Sequence, residues 1–270
     1  MSLPLLLTTL LLQVDTSFAR LGDSVEKASA RAVVLINGFT PHPFSRDAAA
    51  EAQAAGWQSA DSKVAQALAT HADLFAFSYS QNAAVDEIAG AKNKEGKTFA
   101  DFVAQLKSAG YREIVLVGFS AGAVMARLFV EDNPDAGVTK VIQVCPPNAG
   151  SGWGSAGFAV RETQEPFVAS LSKEARRKSA EMRAKNIPAS VEFVVLMGTG
   201  AGSGDSVVTC ESQWPQDLQK QGIPVAAVSV LHFQAMRTSK AAAKLAELVS
   251  TRQPRWTGEQ VEKARAELLD

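Results

Sequence analysis

Gly118-Phe119-Ser120-Ala121-Gly122 follows Ile114-Val115-Leu116-Val117 and leads into Ala123-Val124-Met125-Ala126-Arg127-Leu128. A run of β-formers that breaks into G-x-S-x-G and then into helix formers reads as strand, sharp turn, helix. In that setting the pentapeptide is a nucleophile elbow. The serine sits at the apex of a strained turn, and the glycines flank it because a Cβ at either place would crowd strand against helix. Ser120 is therefore a candidate nucleophile, and the chain a candidate hydrolase or acyl transferase.

Working outward, apolar runs bounded by turn residues alternate with amphipathic stretches. Strands are expected at 32–36, ending in Asn37-Gly38, then at 74–79, 114–117, 140–145, 191–197 and 224–231. Helices are expected over 46–68 with a break near Gly56, over 98–109 with Gly110 as C-cap, and over 240–250 and 259–268. This alternation predicts an α/β fold, a mostly parallel central sheet flanked by helices. The interval between Cys145 and Val191 breaks the rhythm with a glycine-rich stretch (150–157) and a charged helical stretch (171–185). It is longer than a crossover needs and reads as a helical cap or lid insertion over 148–188. Residues 1–30 read as an N-terminal apolar segment and lead-in, and 31–270 as the catalytic domain.

The 270 residues, 46% hydrophobic, can bury a large core in one domain. With 27 basic and 28 acidic residues the net charge is −1, and no basic block marks a nucleic-acid surface. The run Lys173 to Lys178 reads as a solvated helix face. Three histidines, two cysteines and no H-x-x-x-H spacing cannot build a Cys-rich zinc site, so no catalytic metal is expected. The apolar run 3–12 has signal-peptide length, and Ser17-Phe18-Ala19 resembles a cleavage site. The run lacks a positive n-region, however, and is too short to span a bilayer. A core-packing segment fits it equally, and an unprocessed, cytoplasmic chain is the reading taken. Export is the alternative, in which Cys145 and Cys210 could pair rather than remain free thiols.

A serine hydroxyl needs a base, and the base an orienting partner. His232 follows the last strand and would share the sheet edge of Ser120. His42, between Pro41 and Pro43, suits a rigid loop, and His71 precedes a strand at the opposite edge. Asp205 lies on a loop between Ser120 and His232 and is the expected acid, with Glu211 its nearest rival. The glycines from Gly198 to Gly204 fail the G-x-G-x-x-G dinucleotide fingerprint in every register. Backbone N–H groups of Ala121 and Phe39 are the expected oxyanion donors, the second from the loop after the first strand. Thr40, Phe119, Trp153 and Phe158 are candidate substrate contacts, with Phe167 a further cap aromatic.

Four motifs in order resemble the α/β-hydrolase superfamily, particularly its lipase and esterase branches. They are the strand ending in Asn37-Gly38-Phe39, the elbow Gly118 to Gly122, the acid region Gly204-Asp205-Ser206-Val207-Val208, and Leu231-His232-Phe233. The stretch Pro147-Asn148-Ala149-Gly150-Ser151 is also similar to family lipases. Asn37-Gly38 stands where many of them carry His-Gly. The resemblance implies an eight-stranded, mostly parallel sheet with an inserted cap. It also implies hydrolysis of a small-molecule or lipid carboxylic ester through a covalent acyl-enzyme, without a cofactor. A thioesterase, amidase or acyltransferase would use the same residues, and a non-catalytic binding protein on the hydrolase fold is the reading from another class.

Overall fold

The computed structural model describes residues 14–22, 29–41, 50–152 and 162–269. Seven strands form one sheet: β1 (Thr16–Arg20), β2 (Arg31–Ile36), β3 (Asp73–Tyr79), β4 (Glu113–Phe119), β5 (Lys140–Val144), β6 (Glu192–Gly198) and β7 (Val225–Val228). Their order is β1-β3-β2-β4-β5-β6-β7, with β1 antiparallel to β3 and every other pairing parallel. The resemblance implies eight strands, and seven lie among the described residues.

Among the described residues ten α-helices connect and cover the strands. They are α1 (Lys63–Ala69), α2 (Val85–Ile88), α3 (Phe99–Ser108), α4 (Ala121–Asp132), α5 (Glu165–Ser170), α6 (Lys173–Arg183), α7 (Cys210–Gln213), α8 (Gln216–Lys220), α9 (Ser239–Ser250) and α10 (Gly258–Leu268). Because β2, β4 and β6 are covered on both sides, their apolar residues run continuously and alternate between two cores. Val34 and Ile36 belong to the same core as Phe102 of α3, Phe129 of α4 and Val261 of α10. Val33 and Leu35 pack on the other face with Val64 and Leu68 of α1 and Leu245 and Leu248 of α9. The helix starts are encoded locally: Ser62, Thr98, Thr238 and Thr257 each accept a backbone N–H of the first turn they cap.

Two expectations need correction. The helix expected over 46–68 is helical only from Lys63 onward among the described residues, after a 3-10 turn at Gly56–Gln58. The buried Gln58 explains this, since its Nε2 donates to the carbonyls of Leu35 (2.8 Å) and Phe77 (3.1 Å) and so ties the segment to the strand backbones as a loop. The last strand stops at Val228, because Val230 N–H turns back to the Val228 carbonyl (2.9 Å). Ser17-Phe18-Ala19 lies inside β1, paired with Ala76 to Ser78 of β3. No helix among the described residues is long and apolar enough to cross a membrane.

Candidate active site

The strand order creates the crevice. β3 lies on one side of β2 and β4 on the other, so the loops leaving β2 and β4 diverge at their carboxyl ends, where open α/β sheets bind ligands. Ile36 is in register with Gly118, which brings the Asn37–Thr40 loop beside Ser120.

Ser120 joins β4 to α4 at φ 52° and ψ −121°, a region that a side chain disfavours. Its N–H donates to the Val144 carbonyl (2.9 Å) and its carbonyl accepts from Ala123 (3.0 Å), so hydrogen bonds on both sides hold the strain. A Cβ on Gly122 would lie 2.2 Å from the Asn37 carbonyl oxygen, and one on Gly118 would lie 2.5 Å from that of Gly122. Both glycines are therefore conditions for α4 to begin directly against the β2 loop.

Asp205 arrives on the loop after β6 and His232 on the loop after β7. His232 Nε2 is 2.9 Å from Ser120 Oγ, and its Nδ1 is 2.7 Å from Asp205 Oδ2. The exposures of Ser120, Asp205 and His232 are 7%, 0% and 2%, so this chain of polar atoms is almost wholly withdrawn from water. A carboxylate can only accept, which assigns the Nδ1 proton to the bond with Asp205 and leaves Nε2 to accept from the serine hydroxyl. Asp205 Oδ1 accepts from the N–H groups of Val207 (3.0 Å) and Val208 (2.8 Å), so both carboxylate oxygens have donors, as a buried charge requires. The Asp205 carbonyl also accepts the His232 N–H (2.7 Å), lacing the two loops together. A Cβ on Gly200 would lie 2.4 Å from the Val230 backbone, so this part of the glycine run serves close packing of the acid loop against the histidine loop. The His232 ring rests against Phe119 (centroids 5.0 Å apart) and, edge to face, Phe233 (5.5 Å).

The expected residues fall into place unevenly. Ser120, His232 and Asp205 meet, while Glu211 is exposed on α7 and His71 precedes β3 at the opposite edge. His42, Trp153 and Phe158 lie outside the described residues. Phe119 is buried between His232 and Trp57, and Phe167 is buried against Phe39 and Tyr79. Phe39 and Thr40 are half-buried in the loop after β2. Ala121 opens α4, where N–H groups have no intrahelical acceptor.

Sequence reasoning passed over Gln213, wholly buried, which clamps the acid loop by accepting from Gly198 N–H (2.8 Å) and donating to the carbonyls of Gly198 (3.0 Å) and Val208 (3.1 Å). Its one sequence signal is a glutamine set directly before Trp214. Cys145 is a free, buried thiol at the same edge. Its Sγ and one ligating atom each of Asp205 and His232 lie within 4.8 Å of one another. Two ligands on one tetrahedral zinc stand ~3.3 Å apart, given bonds of ~2.0–2.1 Å. The 2.7 Å Asp205–His232 contact is hydrogen-bond spacing instead. Burial, with the Asp205 charge behind it, pushes the Cys145 thiol well above its usual value and keeps it protonated.

A separate cleft of about 190 Å³ between α4, α6 and α8 is lined by Arg127, Glu131, Arg176, Arg183 and Asp217 and by none of the three meeting residues. Of its charges, Arg127 pairs with Glu131 and Asp217, Arg183 with Glu131 and Asp132, Arg176 with Asp86 and Arg177 with Glu181, and Lys173 also lines it.

No protein-family model matches the sequence, and no curated protein matches it. Solved structures do match. The mature form of the Bacillus licheniformis lipase BlEst2 superposes with a TM-score of 0.61 at 13% identity, over 86% of this chain and 96% of that one. The Legionella pneumophila phospholipase PlaB gives 0.58 at 13% identity, over 89% of this chain and 63% of that one. Aspergillus fumigatus lipase B gives 0.55 at 14% identity, over 86% of this chain and 55% of that one. The chain thus spans almost all of the mature BlEst2 chain but less than two thirds of the other two. With its helix-flanked, mostly parallel sheet and these neighbours, the chain has the α/β-hydrolase fold.

Proposed function

We propose that this protein is a serine hydrolase of carboxylic esters. The observation that carries the reading is the hydrogen-bonded chain from Ser120 Oγ through His232 to Asp205, with spacings of 2.9 and 2.7 Å, at a strained strand–helix turn. In the reaction, Ser120 Oγ attacks the ester carbonyl carbon while His232 Nε2 takes the hydroxyl proton. Asp205 holds the ring and stabilises the imidazolium. The C=O electron pair moves onto oxygen, where the N–H groups of Ala121 and Phe39 receive the negative charge. Collapse breaks the bond to the alcohol oxygen, which leaves with the proton from Nε2, and the acyl group remains on Ser120. Water then attacks, gives its proton to His232, and the acid is released as the proton returns to Ser120 Oγ.

Names of solved structures that share the fold, two lipases and a phospholipase among them, agree with an ester substrate, small or lipid. In this reading the segment after β5 forms a cap over the site, of which α5 and α6 are the described helices. The test is turnover of p-nitrophenyl esters by the native chain and by Ser120→Ala. Native protein should hydrolyse them, and the variant should lose at least about 10⁴-fold in kcat while keeping its fold. Equal turnover by both would end the proposal.

A further inference from the structure

The loop that carries Phe39 is held by side chains on both sides of it. Tyr79, the last residue of β3, donates its hydroxyl to the Asn37 carbonyl (2.9 Å). Two residues on, Gln81 Nε2 donates to the Gly38 carbonyl (2.9 Å) while Gln81 Oε1 accepts the Thr40 N–H (2.9 Å). Gln164, just before α5, donates its Nε2 to the Thr40 carbonyl (2.9 Å) and makes a longer contact with Gln81 Oε1 (3.4 Å). A carbonyl only accepts and a backbone N–H only donates, so the Gln81 amide has one possible orientation. Gln81 is 3% exposed and Gln164 is fully buried, so water cannot substitute for these partners without rearrangement. The bonds from Gln81 reach the residue before and the residue after Phe39 and skip Phe39 itself. Among the described residues the Phe39 N–H has no acceptor. A backbone amide held at both neighbours and left unpaired between them is a pre-aimed donor.

We infer that Gln81, backed by Gln164, is a positioning residue that fixes the Phe39 N–H as an oxyanion donor. This rests on the ester-hydrolase reading above. It gives the long excursion after β5 a role in the reaction, because Gln164 comes from that excursion and reaches the loop after β2.

The test compares Gln81→Met and Gln81→Glu with native protein. Methionine keeps the length of the side chain and removes both hydrogen bonds. Glutamate keeps an acceptor for Thr40 N–H but sets a second oxygen against the Gly38 carbonyl. Mispositioning a catalytic group by ~1 Å costs up to ~100-fold, so kcat for a p-nitrophenyl ester should fall about 10- to 100-fold, with KM changing less than about threefold. A trifluoromethyl ketone supplies the readout that a merely structural role would not move. Ser120 adds to its carbonyl, His232 takes the proton, and the adduct carries an oxyanion. Its inhibition constant should rise by the same factor as kcat/KM falls, while thermal unfolding stays within a few degrees of native.

Native kcat/KM in either folded variant would overturn the inference, as would a loss confined to KM with unchanged ketone binding. If Gln81→Met does not fold, Gln81→Glu decides by the same criteria. Ser120→Ala is run in parallel. Activity retained there refutes the hydrolase reading, whereas loss there with native kcat in the Gln81 variants refutes only the positioning role.

Discussion

At Ser120 the backbone is held at positive φ, and the side chain meets a histidine that is itself fixed from four directions. Asp205 bonds its ring, the Asp205 carbonyl holds its N–H, and Phe119 and Phe233 pack against the ring. Asp205→Asn should keep this shape, because an amide matches the carboxylate in size. It would, however, present the Nδ1 side with a neutral group and permit the wrong ring tautomer. Loss of about 10³- to 10⁴-fold in kcat is expected, with little change in KM, measured by steady-state kinetics on a p-nitrophenyl ester. An activity within tenfold of native would contradict the role given to Asp205. At this scale the sequence was informative where chemistry restricts residue type. Ser120, Asp205 and His232 are legible because the proposed nucleophile, acid and base follow three strand ends in that order. Gln81, Gln164 and Gln213 were not, because glutamine forms a buried hydrogen bond in any register, and only the fold shows which backbone groups lie within its reach.

Among the elements, α6 shows how the excursion after β5 is tied to the body. The buried Arg176 makes a bidentate pair with Asp86 of α2 (2.7 and 3.1 Å) and also holds Ser179, which itself bonds Asp86. Burial by itself would raise the Asp86 carboxyl, but the hydrogen bonds and charge of Arg176, with Ser179 and Arg183, hold it below the ordinary carboxylate value. A carboxylate lowered in the folded state stabilises the fold above its unfolded value of about 3.9, and that contribution disappears as pH falls through the folded value. Native protein should therefore exceed Asp86→Asn in urea midpoint at pH 7, and the gap should shrink at pH 3. A gap of the same size at both would show that the clamp does not depend on the Asp86 charge. The sequence marked α6 as a charged helix with a solvated face, which Arg177, Lys178 and Glu181 bear out. Its inward arginine was illegible, since the partner stands 90 residues away. The region 56–62 was read into a helix for a related reason: it lies between the alanine-rich stretches 48–55 and 65–69, while the Gln58 bonds to two strand carbonyls tie it to the sheet instead.

Over the whole molecule, loops from β2, β4, β6 and β7 converge on one edge of the sheet, while β1 closes its side. Phe18 of β1 stacks on Phe75 (5.4 Å) and Phe102 (4.9 Å), and Arg20 pairs with the buried Asp73 (3.1 Å). Tyr111, which also donates to Asp73 (2.8 Å), has its hydroxyl pushed up to about 12, mainly by burial and then by that carboxylate. Phe18→Ala should cost about 2 kcal/mol, below the full core value because Phe18 is only half-buried. Chemical denaturation would measure it, and activity per folded molecule should remain native, since β1 contributes nothing to the site. An unchanged midpoint would remove β1 from the stability of the sheet. This strand escaped the sequence reading because its half-exposed alternation in Thr16–Arg20 lacks the continuous apolar run of β2 or β4.

The central claim is that Ser120 is the nucleophile, and its most direct measurement is the site of covalent capture. Native protein treated with a fluorophosphonate and mapped by peptide mass spectrometry should carry one phosphonyl group on Ser120. Fluoride is lost in that step and the serine proton passes to His232. The adduct should disappear in Ser120→Ala and form far more slowly in His232→Ala. Absence of the adduct from folded native protein, or its appearance on another residue, would contradict the account.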